Sequence, residues 1–581
     1  MRRLDRSRGG GRAATSVLSA LAVVTLVASA CGSSHKNGSS TTTTGNGSGS
    51  SHIGGGFTLA TQGGAGEGPY PWKYPGSGNV TVGSGTTTSG TQCTSGAPQV
   101  PNATYSVPCI AKFTGDNGGA TYNGLTATQI TIANRVFPGS ANTAEAAAVA
   151  KQEGIALAPV TDQVQAVFLK YFNQVFDLYG RKVVIVPEAS DSNSTLEALN
   201  ENQAQACADA DKITNSMHAF GEWGVGDNNT GGGGSGPFSV CASQQKLVEF
   251  AGGAYFNEAF YQQNNPYVWD LPMDCERVAD SGAQAVSNLL LGKKAVYAGD
   301  ANLRTATRKL GIYVPSLPAY TDCTNQFISQ MESQYHQPAS SVNQVFTYGL
   351  DISTFQQNAQ QAIVQFKAEG VTTVVTACDP FSLALLTKAA KAQNYHPEWV
   401  MNGVALDDTD SVAQTYDQSE VTGHLFGQSE APPETDFFGP TSPAGKLFQQ
   451  LTGHEIPAGT DGNYGSLIRM FDFLQAAGPD LTPQNMAKGI HAMPPMGAPD
   501  YNYGGWNFNT GPSGKAGTGD HTAIADAGWV YWNGGATSPV NQKQGTFVRM
   551  FNGKRYTDGT WPSSLPAMFT ATGSQDPSCS C

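Results

Sequence analysis

TDQVQAVFLKYFNQVFDLYGRKVVIVPEAS, residues 161–190, holds two periodicities side by side. Val164, Val167, Phe168, Tyr171, Phe172, Val175 and Phe176 recur at three- and four-residue spacing, the apolar stripe of an amphipathic helix. Thr161 is the expected N-cap and Gly180 the expected stop. From Arg181 to Ser190 the pattern changes to a continuous apolar run, the kind buried in parallel sheets. Upstream, QITIANRVF (129–137) reads as another strand. Strand, helix and strand at this spacing predict a right-handed βαβ unit.

The rhythm continues downstream. Thr195–Lys212 reads as a helix and His218–Gly221 as a short strand. KKAVYAGD (293–300) is expected to be a strand, with a helix from about Thr305. VTTVVTACDP (371–380) is a strand and FSLALLTKAAKAQ (381–393) a helix, with Asp379-Pro380 as its N-cap and first turn. The strands end in short polar residues: Glu188 to Asp191, Gly299 to Asn302, and Cys378-Asp379. Ligands of open α/β sheets sit outside such carboxyl ends. NNPYVWDLPMD (264–274) separates two sets of these units, which predicts two facing lobes.

The chain ahead of this region has a different texture. Arg2, Arg3, Arg6, Arg8 and Arg12 precede an uncharged run from Ala13 to Ala30, the pattern of a secretory signal. Its length would also suit a retained anchor helix. Val27-Ala28-Ser29-Ala30-Cys31-Gly32 resembles the bacterial lipobox, with Ala28 where leucine is usual. That resemblance implies cleavage before Cys31 and acylation of its thiol; a cut but unlipidated signal is the alternative. Residues 32–92 are dominated by Gly, Ser, Thr and Asn and bury too little apolar area to offset ordering. Some sixty such residues make a tether with a reach of about 45 Å.

The net charge is −13 and only 13% of residues are charged. No basic patch is apparent, which argues against nucleic acid. Ten cysteines suit an oxidising compartment. Cys93 and Cys109 flank a short polar loop and are placed to close it. The pairing of Cys275, Cys323, Cys378, Cys579 and Cys581 is left open.

The ordered set of segments resembles type I periplasmic solute-binding proteins, in particular the leucine/isoleucine/valine-binding group of ABC importers. The likeness is carried by TATQITIA, YFNQVFDLYGRKVVIVPEASDS, NNPYVWDLPMD followed by ERVADSGAQAVSNLLLGKKAVYAGD, TTVVTACDPFSLALLTKAAKAQNYHPEWV and TDGNYGSLIRMFDFLQAAG. It runs from about 127 to 535. It implies an α/β fold of two Rossmann-like lobes with parallel central sheets, joined by three crossover hinge strands near 270, 426 and 500. The expected division is a signal peptide (1–30), a tether (31–92), an N-terminal extension with a small disulfide loop (93–126), lobe one (127–270 with 427–499), lobe two (271–426 with 500–570) and a tail (571–581).

The resemblance also implies a site. In that family a helix start in lobe one grips an amino acid's carboxylate, and the matching stretch is GPFSVCASQQKLVEFAGG (236–253). It implies a Cys207–Cys241 bridge. Ala242 stands where a serine is expected, with Ser239 and Ser243 as substitutes, and Tyr255 and Asn257 occupy the next contact segment. The helix N-terminus favours an anionic group. Phe137 ends the first strand and Ser140 follows it, and both are candidate ligand contacts. Trp223 lies in the Gly-rich 222–236 loop, read either as a lid or as a surface insertion. Asp379 is placed to meet an ammonium group or to serve as a cap alone. Asn302 and Arg304 follow an expected strand end, where Arg304 is either a carboxylate partner or a solvated side chain.

Enzyme signatures fail. NTGPSGKAGT (509–518) lacks the first glycine and the Ser/Thr of a phosphate loop. There is no His-Glu-X-X-His, Cys-X-X-Cys or Gly-X-Ser-X-Gly, and the nine histidines are scattered. The expectation is a monomeric, lipid-anchored, extracytoplasmic binding protein, with no cofactor, metal or catalysis. It captures a small polar or amphipathic solute, such as an amino acid, amide or aromatic acid, and passes it to an ABC permease. A surface sensor of the same fold, a secreted hydrolase and an adhesion protein with a degenerate cleft are the alternatives.

Overall fold

The computed structural model describes residues 80–103, 105–137, 158–192, 197, 202–223, 236–250, 256–350, 352–377, 380–403, 407–430, 439–457, 460–494, 496, 505–508, 520–539 and 541–569. Cys31, Ser140, Tyr255, Cys378, Asp379, Cys579, Cys581 and most of the 222–236 loop lie outside the described residues.

Two parallel-dominated sheets organise the chain. The first has four parallel strands in the order β4-β3-β5-β6: β3 is Gln129–Val136, β4 Lys182–Ala189, β5 Gly221–Glu222 and β6 Val248–Glu249. Alternation along β3 divides its residues between two layers. Ile130 and Ile132 pack with Val164, Phe168 and Phe172 of α1 (Ala158–Val175). Ala133 packs with Ala206 and Ala210 of α2 (Gln203–Asp211) and with Phe238 and Ala242 of α3 (Gly236–Gln244). Alanines on both sides of this layer allow close approach, and a Cys207–Cys241 disulfide ties α2 to α3.

The second sheet has seven strands in the order β13-β12-β11-β10-β9-β7-β8. Its parallel part is β7 (Leu310–Pro315), β8 (Val342–Tyr348), β9 (Thr373–Thr376), β10 (Glu398–Met401) and β11 (Leu425–Ser429). β12 (Gly528–Thr537) and β13 (Gln544–Arg549) close one edge antiparallel. After a short helix, α4 (Glu258–Asn264), the chain enters this half through α5 (Cys275–Leu289). Among the further helices of this half are α6 (Ala301–Thr305), α7 (Pro318–Ser333), α8 (Ile352–Ala368) and α9 (Pro380–Ala392), with two single-turn helices at Asp410–Ala413 and Gln418–Val421. A Cys275–Cys323 disulfide links α5 to α7 and settles one pairing the sequence left open.

After β11 the chain returns to the first half. There α10 (Pro443–Thr452), α11 (Gly462–Ala476) and α12 (Pro483–His491) follow, with α11 packing on α1 through Phe471, 5.6 Å from Phe172 and 5.3 Å from Phe176. It then crosses a third time, through Trp506 and Ile524, into β12.

Several expectations need correction. KKAVYAGD is not a strand; the strand that opens the second half is β7, LGIYVP, buried at every position. A central parallel strand needs an uninterrupted apolar run, and KKAVYAGD has two lysines and a half-exposed Val296. The helix expected from Thr305 ends there as α6, and the long helix is α7. β4 is an edge strand rather than a buried one, which Pro187 and the exposed Val184 suit. α1 begins before Thr161 and stops at Val175, while Gly180, at φ 89°, sits in the turn into β4. β5 begins at Gly221.

Folded structure also starts earlier than the tether reading allowed. β1 (Ser84–Thr86) and β2 (Gln92–Thr94) form a hairpin, and Cys93 of β2 is bridged to Cys109 downstream. This extension is held by lobe one and the third crossing: Val107 N donates to Asp472 Oδ1 at 2.9 Å, and Tyr105 stacks on Trp506 at 4.1 Å.

Candidate ligand-binding site

The carboxyl ends of both sheets point to one place. The first crossing runs parallel beside β6, with Val268 bridging Glu249. It therefore leaves the first half on the carboxyl side of the strands. The second crossing leaves the other half from the carboxyl end of β11, at Glu430. The two meet where Met273 N donates to Glu430 Oε2 at 2.9 Å. The third joins them: Asp270 bridges Thr522, and the Arg277 guanidinium pairs with Asp520 and donates to the Ile524 carbonyl at 3.0 Å.

On the first side of this seam the strand ends are charged. Ala133 is opposite Glu222, Glu222 opposite Glu249, and Glu249 opposite Val268. Partners in parallel strands share a face, and residues two apart return to it. Arg135, Glu222, Glu249 and Asp270 therefore line one face, beside the start of α3. Arg135 is a buried hub. Its guanidinium reaches Glu197 at 2.7 and 3.2 Å and Asp209 at 2.6 Å, and lies over the rings of Phe137 and Phe238 at 4.8 and 4.0 Å. Burial works against its charge, but Glu197 and Asp209 outweigh it and raise its pKa above the usual value.

Glu222 Oε1 accepts from Arg135 N at 3.3 Å. Glu249 is fully buried, and neither carboxyl oxygen has a hydrogen-bond partner from the protein. Ser239 Oγ, equally buried, lies beside it without reaching hydrogen-bond geometry. Burial pushes the Glu249 carboxyl well above its ordinary value; Glu222 and Asp270 push the same way, while Ser239 and Arg135 oppose. Asp270 accepts from Tyr261 OH at 2.9 Å and feels the buried Arg469.

The opposite side of the seam is mixed: Glu430, Asp408, Asp526 and Arg555 are buried near the end of β11, and beside them lies an apolar recess. The recess is small, about 30 Å³, and lies between α5, α7 and the sheet. Val278, Ala279, Ile312, Phe327 and Val375 line it, together with the Cys275–Cys323 bridge; Thr324 and Asn402 are its polar members. A Cβ at Gly282 would collide with the Asn402 side-chain oxygen, so that residue type lets α5 lie against the end of β10.

Among the sequence candidates, Phe137 and Ser239 join the charged side. Ser243 Oγ, 2.6 Å from Asn264 Oδ1 and 2.8 Å from the Val240 carbonyl, is engaged within its own lobe. Asn257 caps α4, accepting from Phe260 N at 2.9 Å. Trp223 is fully buried in the core on the α1 side. Asn302 and Arg304 are exposed on α6, which follows no strand. Asp300, next to them, accepts from His396 N at 3.0 Å, close to the amino end of β10 and away from the seam. The start of α3, expected to favour an anion, faces carboxylates instead. Arg135, Glu222, Glu249 and Asp270 were not singled out; a charge set in an apolar strand end, as in QITIANRVF, was the available signal.

No family model and no curated protein matches this chain. Among solved structures it aligns with a fatty acid ABC transporter substrate-binding protein from Thermomonospora curvata, at 13% identity and a TM-score of 0.48 over 75% of this chain and 94% of that one. A leucine-, isoleucine-, valine-, threonine- and alanine-binding protein from Brucella ovis aligns at 12% and 0.47 over 75% and 97%. A solute-binding protein of an ABC transporter from Rhodopseudomonas palustris BisB5, in complex with 3,4-dihydroxybenzoic acid, aligns at 10% and 0.46 over 75% and 99%. The likeness is to solute-binding proteins. At these identities neither ligand nor partner transfers.

Among the described residues no group of three or more His, Cys, Asp or Glu is arranged to hold a metal ion, and no helix is long and apolar enough to cross a membrane. The crossings also bury an aromatic knot. His521, with neither ring nitrogen hydrogen-bonded, stacks on Tyr261 at 5.8 Å and lies 5.0 Å from Trp269. His491 Nε2 donates to the Asp520 carbonyl at 3.0 Å, and burial pushes its pKa down to about 4.

Proposed function

We propose that this chain is an extracytoplasmic solute-binding lipoprotein that closes two lobes over a small amphipathic solute and hands it to an ABC import permease. One observation carries the reading: two separate parallel-dominated sheets turn the carboxyl ends of their parallel strands toward a seam spanned by three crossings. One side of that seam is ionic and the other includes an apolar recess. Crossings of this kind permit hinge closure, and a solute held at both sides is buried without covalent chemistry. The division into lobes 127–270 with 427–499 and 271–426 with 500–570 belongs to the same proposal. The basic, apolar and Val27–Gly32 segments support lipid attachment at Cys31, and the Gly/Ser-rich tract supports a tether.

The test is solute binding with compaction. A panel of amino acids, amides, aromatic acids, fatty acids and amines is screened by thermal shift, where a ligand at 100 times its Kd adds about 2.7 kcal/mol. Hits are followed by small-angle scattering. The expected result is a raised Tm with a smaller radius of gyration, and recovery of the solute unchanged. Turnover of the solute, or binding without compaction, overturns the reading. Cys31→Ser is expected to release the protein from membranes.

A further inference from the structure

We infer that the recess between α5 and α7 receives the uncharged, hydrogen-bonding end of the solute, a hydroxyl or carboxamide, through the side chains of Thr324 and Asn402. The inference rests on the solute-binding reading and deepens it by naming the chemistry of one end of the solute.

Three observations carry it. First, the recess stands at the carboxyl end of the second sheet. Ala377 and Asn402, which follow β9 and β10, line it, with Cys275 from the first turn of α5 and Thr324 from the second turn of α7.

Second, its two polar side chains are buried and unmet. Thr324 is 6% and Asn402 8% exposed, and neither side chain has a hydrogen-bond partner among the described residues. A helical threonine often satisfies its hydroxyl on the carbonyl one turn back, as Thr321 does on Leu317 at 3.3 Å and Thr387 on Leu383 at 3.1 Å. The Asn402 backbone is held: its N donates to the Thr376 carbonyl at 3.0 Å, and its carbonyl accepts from Gln428 Nε2 at 3.4 Å. Its amide is left to Gly282 and the recess. A buried polar group without a partner costs free energy, so both groups call for one from outside the protein.

Third, no charged side chain lines the recess. The charges around it are engaged elsewhere. On α5, Arg277 pairs with Asp520, Asp274 accepts from Arg277 N, Glu276 from Glu258 N and Asp280 from Gln326 Nε2. Near the end of β11, Asp408 accepts from Ser429 Oγ and Glu430 from Met273 N. On α7, Asp322 and Glu332 are exposed.

A recess of about 30 Å³ admits the end of a solute and not a whole one, since a single water already needs about 10–15 Å³. A charged end would enter between apolar walls without a counter-charge, which is costly. A hydroxyl or a carboxamide both donates and accepts, as do the Thr324 hydroxyl and the Asn402 amide. A purely apolar end would leave both protein groups unmet, and sites built to hydrogen-bond a solute group reject the analogue that lacks it.

The test uses the detergent-solubilised full chain and probes that share a phenyl ring: benzyl alcohol, benzamide, benzoate, benzylamine and toluene. Titration calorimetry ranks them. The expected result is that benzyl alcohol or benzamide binds at least tenfold more tightly than benzoate, benzylamine and toluene, and which of the two leads separates hydroxyl from carboxamide. Thr324→Val keeps the side-chain shape and removes the hydroxyl. It is expected to weaken the leading neutral probe at least fivefold, to leave toluene unchanged or tighter, and to hold or raise Tm, because no protein partner loses a hydrogen bond. Asn402→Leu is expected to shift the affinities the same way. If a charged probe or toluene leads, the inference fails and the solute-binding reading stands. An unchanged ranking in both variants, the result of a recess that holds water only, also overturns it. If no probe binds, the inference fails, and the wider panel with its compaction readout decides the parent reading separately.

Discussion

The two sheets present different chemistry at the same end. The four-stranded sheet finishes in Arg135, Glu222 and Glu249, each buried and charged or protonated. The parallel strands of the seven-stranded sheet finish beside an apolar recess, with Asn402 and Thr324 as its polar members. One buried ion pair, Arg555 with Asp526 at 2.8 Å, also stands beside the carboxyl end of β11, and a larger network lies at the other end of the strands. Arg308 reaches Glu398, the first residue of β10, at 2.7 and 2.8 Å, and Thr373 Oγ1 and Tyr297 N also donate to that carboxylate. A buried ion pair at an amino end serves the fold. The same chemistry at a carboxyl end, in an open α/β sheet, stands where ligands bind.

The largest effect tests that contrast directly. Arg135→Met and Arg308→Met each leave buried carboxylates without their partner and are expected to lower unfolding free energy by about 3–5 kcal/mol in denaturant melts. Only the Arg135 variant should also alter solute affinity under conditions where both remain folded. Equal effects on binding would erase the distinction between strand ends.

A second effect separates the crossings from the lobes. Burial depresses the His491 pKa to about 4, so its contribution to stability is complete above about 6.5 and is lost as pH falls toward 4. That loss approaches roughly 3 kcal/mol, and His491→Gln is expected to flatten the pH profile across that window. Asp461, in the turn before α11, behaves in the opposite sense. Burial pushes it up to about 6, so its contribution is present below about 4 and is lost as pH rises through 6. Asp461→Asn should therefore stabilise the protein at pH 7, by about 1–3 kcal/mol, with no gain at pH 4.

Filling the apolar side gives a smaller change in stability. Ala279→Leu overpacks the wall of the recess at about 1–3 kcal/mol. It should weaken binding of solutes with bulky apolar groups more than that of small polar ones, as compared by calorimetry. A uniform loss of affinity would remove the recess from the site. Smallest of all, Asn302→Ala and Arg304→Ala are expected to change stability by less than about 0.5 kcal/mol and to leave affinity unchanged. Both residues sit toward the amino ends of the strands, away from the seam.

The errors in reading the sequence follow from the same geometry. KKAVYAGD and LGIYVP are both short apolar segments after a helix, and local pattern alone favours neither strongly. What separates them is burial on two faces, which only helices packed on both sides of the sheet confer. That mistake placed a strand end near Asn302 and drew Arg304 into the site with it. Ser243 and Asn257 are contact positions that the family resemblance implies; the structure gives each a local partner, Asn264 and the first turn of α4 respectively.

Local sequence was sufficient for the alternation of helix and strand, the long stripe of α1, the crossing at 264–274 and the Cys93–Cys109 loop. Each is a matter of periodicity or short separation, and the hydrophobic effect acts on such patterns wherever the chain later packs. Tertiary structure decided what the strand ends hold. Arg135 meets Glu197 62 residues away and Asp209 74 residues away, and Glu249 gains its neighbours from three other strands or crossings. Charge is compensated through space, so its sign at the seam was set only once the strands had taken their order.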